Sequence, residues 1–302
     1  TVQMGNSPSN ATVRYTTDGT LPLETSPVFS GSMNINSTQV LKLRSFSSDA
    51  DVEPSFIEFN TYLINESFTL PVFSVAADEV TDLANGEQAL RPHGSAEYFN
   101  ADGDRTTMSY GELNSHGQDS WVNFQRSLDW ICRDEMGYSA ELEDEIFNLT
   151  DRDKYQRLIL RASGDDNYPA NNVPADPGNV HDGGCHVRDE YVHSLCRTGG
   201  MKVDVRAVER AIVFLNGEYW GIHNIREKID EHHLQNLYGI DKDSIDFLQA
   251  NAYVEEGDDE HYEEFYNYIM QEDLTDPATF EWIEENVDLE NFADYFISQM
   301  YF

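Results

Sequence analysis

The chain has 302 residues, 39% of them hydrophobic and 12% aromatic, which is enough to bury a sizeable core in one large domain or two ordinary ones. Its net charge of -37, from 56 acidic and 19 basic residues, argues against nucleic acid and anionic membranes as partners and favours divalent cations. No apolar run approaches the ~18 residues that a membrane-spanning helix needs.

Residues 1 to 63 read as β. VRYTTDGT, VFSGSMNI, QVLKLRSFS and SFIEFNTYLI are short alternating runs separated by turn residues, the pattern of a small antiparallel sandwich. In TTDGTLP, Gly19 supplies the positive φ that the corner needs. A second region starts near Thr69, where LPVFSVAADEV predicts a strand running into a helix or loop. Residues 87 to 120 are polar and carry no clear period. NFQRSLDWIC reads as a strand, ELEDEIF as partly helical, and RLILRAS as a buried strand. Residues 165 to 187, rich in Pro, Gly and Asn, form a loop long enough to be functional or disordered.

RDEYVHSLCRTGG predicts a helix with Tyr191, Val192 and Leu195 as its apolar stripe and Gly199 as its stop. AIVFL and YWGIHNI flank Asn216-Gly217, the strongest local hairpin signal in the chain. IDEHHLQNLYG continues as a helix ending at Gly239, and SIDFLQAN as a short strand. DEHYEEFYNYIM, PATFEWIEENV and NFADYFISQMYF then predict three helices. Cys132, Cys185 and Cys196 allow at most one internal bridge, and none has zinc-finger spacing. Asn10, Asn36, Asn65 and Asn148 begin Asn-X-Ser/Thr sequons. Thr1 is not a natural start, so the chain is expected to be a processed product or a fragment.

VRYTTDGTLP, VFSG and LKLRSFS resemble the immunoglobulin-like domain found at the C-terminus of chitobiases and β-hexosaminidases, an accessory module of secreted bacterial proteins. NGEYWGIHNIREKID resembles the signature of the CotH family, the atypical spore-coat protein kinases and their bacterial relatives. SHGQDSWVNFQRSL, LILRASGDDNYP, HVRDEYVHSL and YGIDKDSIDFLQAN fit the same family in order, from about Leu70 onward. The two resemblances imply an α+β fold: an immunoglobulin-like β-sandwich over residues 1–66, then a kinase-like α+β domain over 67–302, truncated before its catalytic loop.

What the resemblance implies about chemistry follows the needs of phosphoryl transfer: a cation on the ATP phosphates, an acidic partner for it, metal-binding carboxylates and a base. Arg126 stands where the family has a phosphate-binding Lys, a change in size and hydration. Asp189 and Glu190 are the candidate acidic partners, Arg188 a further phosphate ligand, and Arg226 and Glu227 part of the adenine-side connector. The catalytic Asp and a metal-binding Asp are expected beyond Phe302, so this polypeptide is expected to be inactive as it stands.

Each of these residues also has a plain structural reading. Arg126 can be a surface arginine on a strand. Asp189 and Glu190 at a helix start complement the macrodipole. Asp165, Asp166 and Asn167 are hard oxygen ligands suited to Ca2+, although their spacing is not that of an EF-hand and solvated turn residues fit as well. His181 and His186 beside Cys185 offer zinc ligands without an evident fourth. EEGDDEHYEE reads as a solvated acidic face. The absence of GxxxxGK[ST] and GxSxG argues against P-loop NTPases and α/β-hydrolases.

The functional expectation is therefore a secreted or cell-surface CotH-like protein, an atypical kinase-like scaffold using ATP with Mg2+ or Mn2+ and meeting extracellular or surface proteins. The alternative is a non-catalytic structural or adhesive protein that binds calcium or glycans.

Overall fold

A computed structural model describes residues 1–4, 10–117, 121, 123, 125–166, 185–250 and 252–301, with the backbone alone at Asp165. The N-terminal strands are β1 (Val2–Gln3), β2 (Ala11–Thr16), β3 (Ser32–Met33), β4 (Gln39–Ser47) and β5 (Glu58–Tyr62). They form an antiparallel sheet in the order β2-β4-β5 and a small β1-β3 ladder. The expected sandwich strands are present, but VFSGSMNI contributes only Ser32–Met33 and an isolated bridge from Val28 to Arg14.

Next come β6 (Val72–Ala77), α1 (Val80–Asn85), β7 (His93–Phe99), β8 (Arg105–His116), β9 (Ser127–Arg133), β10 (Leu142–Glu143), β11 (Lys154–Tyr155) and β12 (Arg157–Arg161). They are followed by α2 (Arg188–Thr198), β13 (Val208–Leu215), β14 (Glu218–Glu227), α3 (Glu231–Tyr238), β15 (Phe247–Gln249), β16 (Tyr253–Glu256), α4 (Glu260–Gln271), α5 (Pro277–Asn286) and α6 (Leu289–Tyr301). The chain divides into two compact units: Thr1–His186 with Ala207–Glu227, and Val187–Arg206 with Lys228–Phe302.

The centre of the first unit is a closed barrel in the order β12-β14-β13-β6-β7-β8-β9. β6, VFSVAA, is buried at every position, as expected of a strand covered on both faces. It pairs parallel with β13 and antiparallel with β7. Alternation along each strand sends one set of side chains inward. Phe73, Val75, Ala96, Tyr98, Leu113, Leu128, Trp130, Leu158, Leu160, Val213 and Ile225 fill the interior with Val80, Leu83 and Ala84 of α1. The Trp130 indole donates to Ser109 Oγ at 3.0 Å, so the largest interior ring keeps its polar atom satisfied.

Several expectations change here. Within the polar stretch 87 to 120, His93–Phe99 and Arg105–His116 form the long β7–β8 hairpin. ELEDEIF is not helical: Leu142 and Glu143 pair with Tyr155 and Lys154. The hairpin at Asn216-Gly217 forms as predicted, and it shares one barrel with the strand that follows Arg126, with β12 between them.

In the second unit, α2 is present, but Tyr191 is exposed and Cys196 is the buried residue. The helix stops at Gly199, its C-cap, as expected; Gly199 keeps αR dihedrals, and Gly200, at φ 66, takes the left-handed step. α3 ends at Gly239 with φ 67, the left-handed C-cap that only glycine adopts freely. Its start is capped by Asp230, whose carboxylate accepts from the His233 amide at 3.0 Å. The three predicted C-terminal helices are α4, α5 and α6. All three cysteines are free thiols.

Candidate functional site

A group of buried and half-buried polar side chains in the first unit lies where β9, β12 and β14 meet. Gln125 and Arg126 lead into β9, Ser163 follows β12, and His223 and Asn224 sit inside β14. Gly221 allows the approach: at φ 132 it bends β14, and a Cβ there would lie 2.8 Å from the Gln125 amide nitrogen. That amide donates to the Ile222 carbonyl at 2.8 Å and lies 3.3 Å from His223 Nδ1. His223 Nε2 is 3.3 Å from the Arg126 carbonyl. One tautomer satisfies both contacts, with Nδ1 accepting and Nε2–H donating. His223 is 1% exposed, and burial pushes its pKa down to about 4, so the ring is neutral at physiological pH.

Asn224 joins this group to the two ends of the 167–184 segment. Its amide donates to the His186 carbonyl at 3.1 Å and to Ser163 Oγ at 3.3 Å. Asp166 closes the base: its Oδ1 accepts from the Cys185 amide at 3.1 Å, and its carbonyl accepts from the His186 amide at 3.1 Å. Ser163 and His186 hold φ values of 64 and 59, a conformation that costs about 1 kcal/mol or more for a non-glycine residue. Burial lowers the His186 pKa, and the neighbouring Asp166 carboxylate opposes that shift.

The sequence-predicted residues distribute as follows. Arg126 spans rather than projects. Its Nε donates to the Trp121 carbonyl at 2.8 Å, an Nη donates to the Ala84 carbonyl at 3.1 Å, and the guanidinium lies 5.7 Å from the Trp121 ring centroid. Ala84 is in the last turn of α1, so the cation complements the negative end of that helix. Arg226 and Glu227 are buried at the far end of β14 from His223. Glu227 faces Arg152 at 3.5 Å and accepts from the Ala207 amide at 3.0 Å. The Arg152 guanidinium lies 4.9 Å from the Tyr155 ring centroid.

Arg188, Asp189 and Glu190 form the first turn of α2 in the second unit, with both carboxylates placed to complement the helix dipole. Asp166 lies in the cluster just described; the Asp165 side chain and Asn167 fall outside the described residues, as does His181.

Sequence reasoning missed His223, Asn224 and Gln125. The residue type of a buried histidine inside a hairpin strand was the only signal, and a satisfied core histidine gives the same one. It also set aside Asp258 and His261 as a solvated face. Asp246, Asp258 and His261 are the one group of three carboxylate or imidazole ligands found together among the described residues, with ligand atoms within 4.8 Å of one another. His261 Nδ1 lies 3.2 Å from Asp246 Oδ2, which raises the imidazole pKa.

Two known families match in the expected order. The chitobiase/β-hexosaminidase C-terminal domain family matches residues 1–56, and the CotH kinase protein family matches residues 178–302. The second match makes the chain CotH-like over the hairpin, α2 and everything that follows. It takes in Arg188, Asp189, Glu190, Arg226 and Glu227. Arg126 and Asp165–Asn167 lie outside both matches. Among curated proteins, none matches the chain.

Proposed function

We propose that this is a secreted or surface CotH-like protein with a kinase-related scaffold, one that handles ATP with Mg2+ or Mn2+ among extracellular proteins. The observation that carries the reading is the CotH kinase match over 178–302, which spans the β13–β14 hairpin and the acidic start of α2. Within that range the family resemblance offers Arg188 as a phosphate ligand, Asp189 and Glu190 as acidic partners, and Arg226 and Glu227 as part of the connector. Arg126 fits the role of helix cap better than that of phosphate ligand, because its guanidinium is engaged with Ala84 and Trp121. ATP would supply the transferable phosphoryl group; the chain's part is to hold and orient it.

A second reading is favoured by a specific observation. The Asp246, Asp258 and His261 group suits a divalent cation, and a non-catalytic structural or adhesive protein that binds calcium or glycans would use such a site. Thermal unfolding separates the two. Nucleotide with Mg2+ or Mn2+, at a hundred times its Kd, adds about 2.7 kcal/mol under the kinase-related reading. No shift with nucleotide, and a shift with Ca2+ that disappears in Asp258→Asn, supports the second reading and removes the first. A glycan array tests the carbohydrate branch directly.

A further inference from the structure

Residues 1–56 match a domain family of their own, and a domain on a free linker would keep its faces hydrated. Here the opposing faces are buried together. The outward side chains of β6 and β7 at their junction are polar: Ser74, Ser95 and Glu97, all buried. Their partners come from the sandwich. The Thr61 amide and hydroxyl both donate to Glu97 Oε2, at 2.6 and 2.5 Å, and Thr61 Oγ1 lies 2.8 Å from Ser74 Oγ. Arg105 completes the Glu97 carboxylate at 2.6 Å and also donates to Asn60 in β5 at 2.8 Å.

Lys42 is the second tie. It is 2% exposed, and its ammonium donates to the Gly19 carbonyl at 2.6 Å and to the Ala76 carbonyl of β6 at 2.7 Å. Asp18, Asp78 and Glu97 are the charged groups around it. A buried lysine is rarely retained without such partners, because the desolvation cost is several kcal/mol.

The two turns that stood out in the sequence meet at the same place. A Cβ on Gly19 would fall 2.0 Å from Asn216 Oδ1, and a Cβ on Gly217 would fall 2.8 Å from the Gln39 backbone. Asn216 in turn pairs with β6, accepting from the Ala77 amide at 3.0 Å and donating to its carbonyl at 3.1 Å. The Leu21 amide donates to Asp78 at 2.9 Å. Apolar contact closes the seam. Ile57, Phe59 and Tyr110 cluster with Leu21, Met108, Met136 and Tyr138, and the Tyr138 hydroxyl donates to the Ile57 carbonyl at 2.8 Å.

We propose that the outer face of β6–β7 and the Asn216-Gly217 turn form a docking surface whose partner is this chain's own N-terminal sandwich, held by Lys42 and Thr61 and requiring glycine at position 19. The sandwich is then a fixed wall of the barrel, and it sets the position of the β13–β14 hairpin from outside.

The test uses the full chain. A specific protease site is placed at Asn65–Ser67, which is exposed, and is cut after folding. The expected result is that the two pieces stay together through size-exclusion chromatography at low micromolar concentration; elution as separate species overturns the proposal. Hydrogen exchange on Lys42→Met reads the tie itself. Amides of Gln39–Ser47, Val72–Ala77 and Val208–Leu215 are expected to exchange at least tenfold faster together. Faster exchange confined to the sandwich, with β6 and β13 unchanged, overturns it equally. Should Lys42→Met yield no soluble protein, Thr61→Val gives the same readout through Glu97.

Discussion

The two compact units are built on different physics. In the first, burial dominates: the barrel strands alternate, their inward side chains are almost fully enclosed, and even the polar groups between sheets are hydrogen-bonded out of water. In the second, α4 has no buried residue and α6 buries only Ser298, while Tyr262, Met270, Phe292, Phe296 and Met300 are exposed. Local devices replace a core there. Asp276 caps α5 by accepting from the Ala278 amide at 2.9 Å, and Asp288 accepts from the amides of Glu290 and Asn291. Tyr268 lies with its ring centroid 3.9 Å from that of Trp282. One sequence can therefore specify a unit through non-local packing and another through short-range rules, and the two should fail differently.

The largest expected difference comes from emptying each unit by one aromatic ring. Trp130→Ala should cost about 3–5 kcal/mol through the cavity and the lost indole bond to Ser109. Phe296→Ala, at 50% exposed, should change stability by less than about 0.5 kcal/mol. Urea titrations of both variants measure this; equal losses would erase the contrast.

Titration sharpens it next. Burial lowers the Lys42 pKa from 10.5 to about 8, with Asp78, Asp18 and Glu97 opposing the shift. Between those values the unfolded chain binds more protons than the folded one. Stability contributed by this group is therefore fully present above pH 10.5 and is lost as pH falls toward 8, at up to about 1.4 kcal/mol per pH unit. Wild type minus Lys42→Met, followed by chemical denaturation across that range, should show this slope, and below pH 8 the difference should be flat.

The smallest effect is a cap. Asp276→Ala should cost about 1 kcal/mol and raise amide exchange from Ala278 to Asn286 without altering β6 or β13.

Legibility followed the same division. Asn216-Gly217, Gly239 and the helical periods of residues 260 to 301 are short-range signals, and each element formed where the pattern placed it. Closure of β9 onto β12, and the parallel pairing of β6 with β13, join residues far apart in the chain, and no local pattern encodes them. The stretch 87 to 120 was opaque because its strands turn Ser95, Glu97, Thr107 and Ser109 toward buried partners, which breaks the apolar alternation that marks a strand. Arg126 was visible as a cation, but its partner Ala84 lies 42 positions earlier, so its duty as a helix cap could not be read from QRSL. At the candidate site, Asp166 was legible as a carboxylate in a loop. The neutral state of His223 depends on enclosure by three strands and was not.

Closure of the barrel has a further consequence. Because β9 hydrogen-bonds to β12, this sheet presents no unpaired rim of amides and carbonyls onto which a foreign strand could be added. Among the described residues, the strand edges that remain belong to the short ladders β1-β3, β10-β11 and β15-β16 and to β2 and β5, where the Thr61 amide of β5 is already bonded to Glu97. With a net charge of -37, like-charge repulsion also keeps copies of the chain apart.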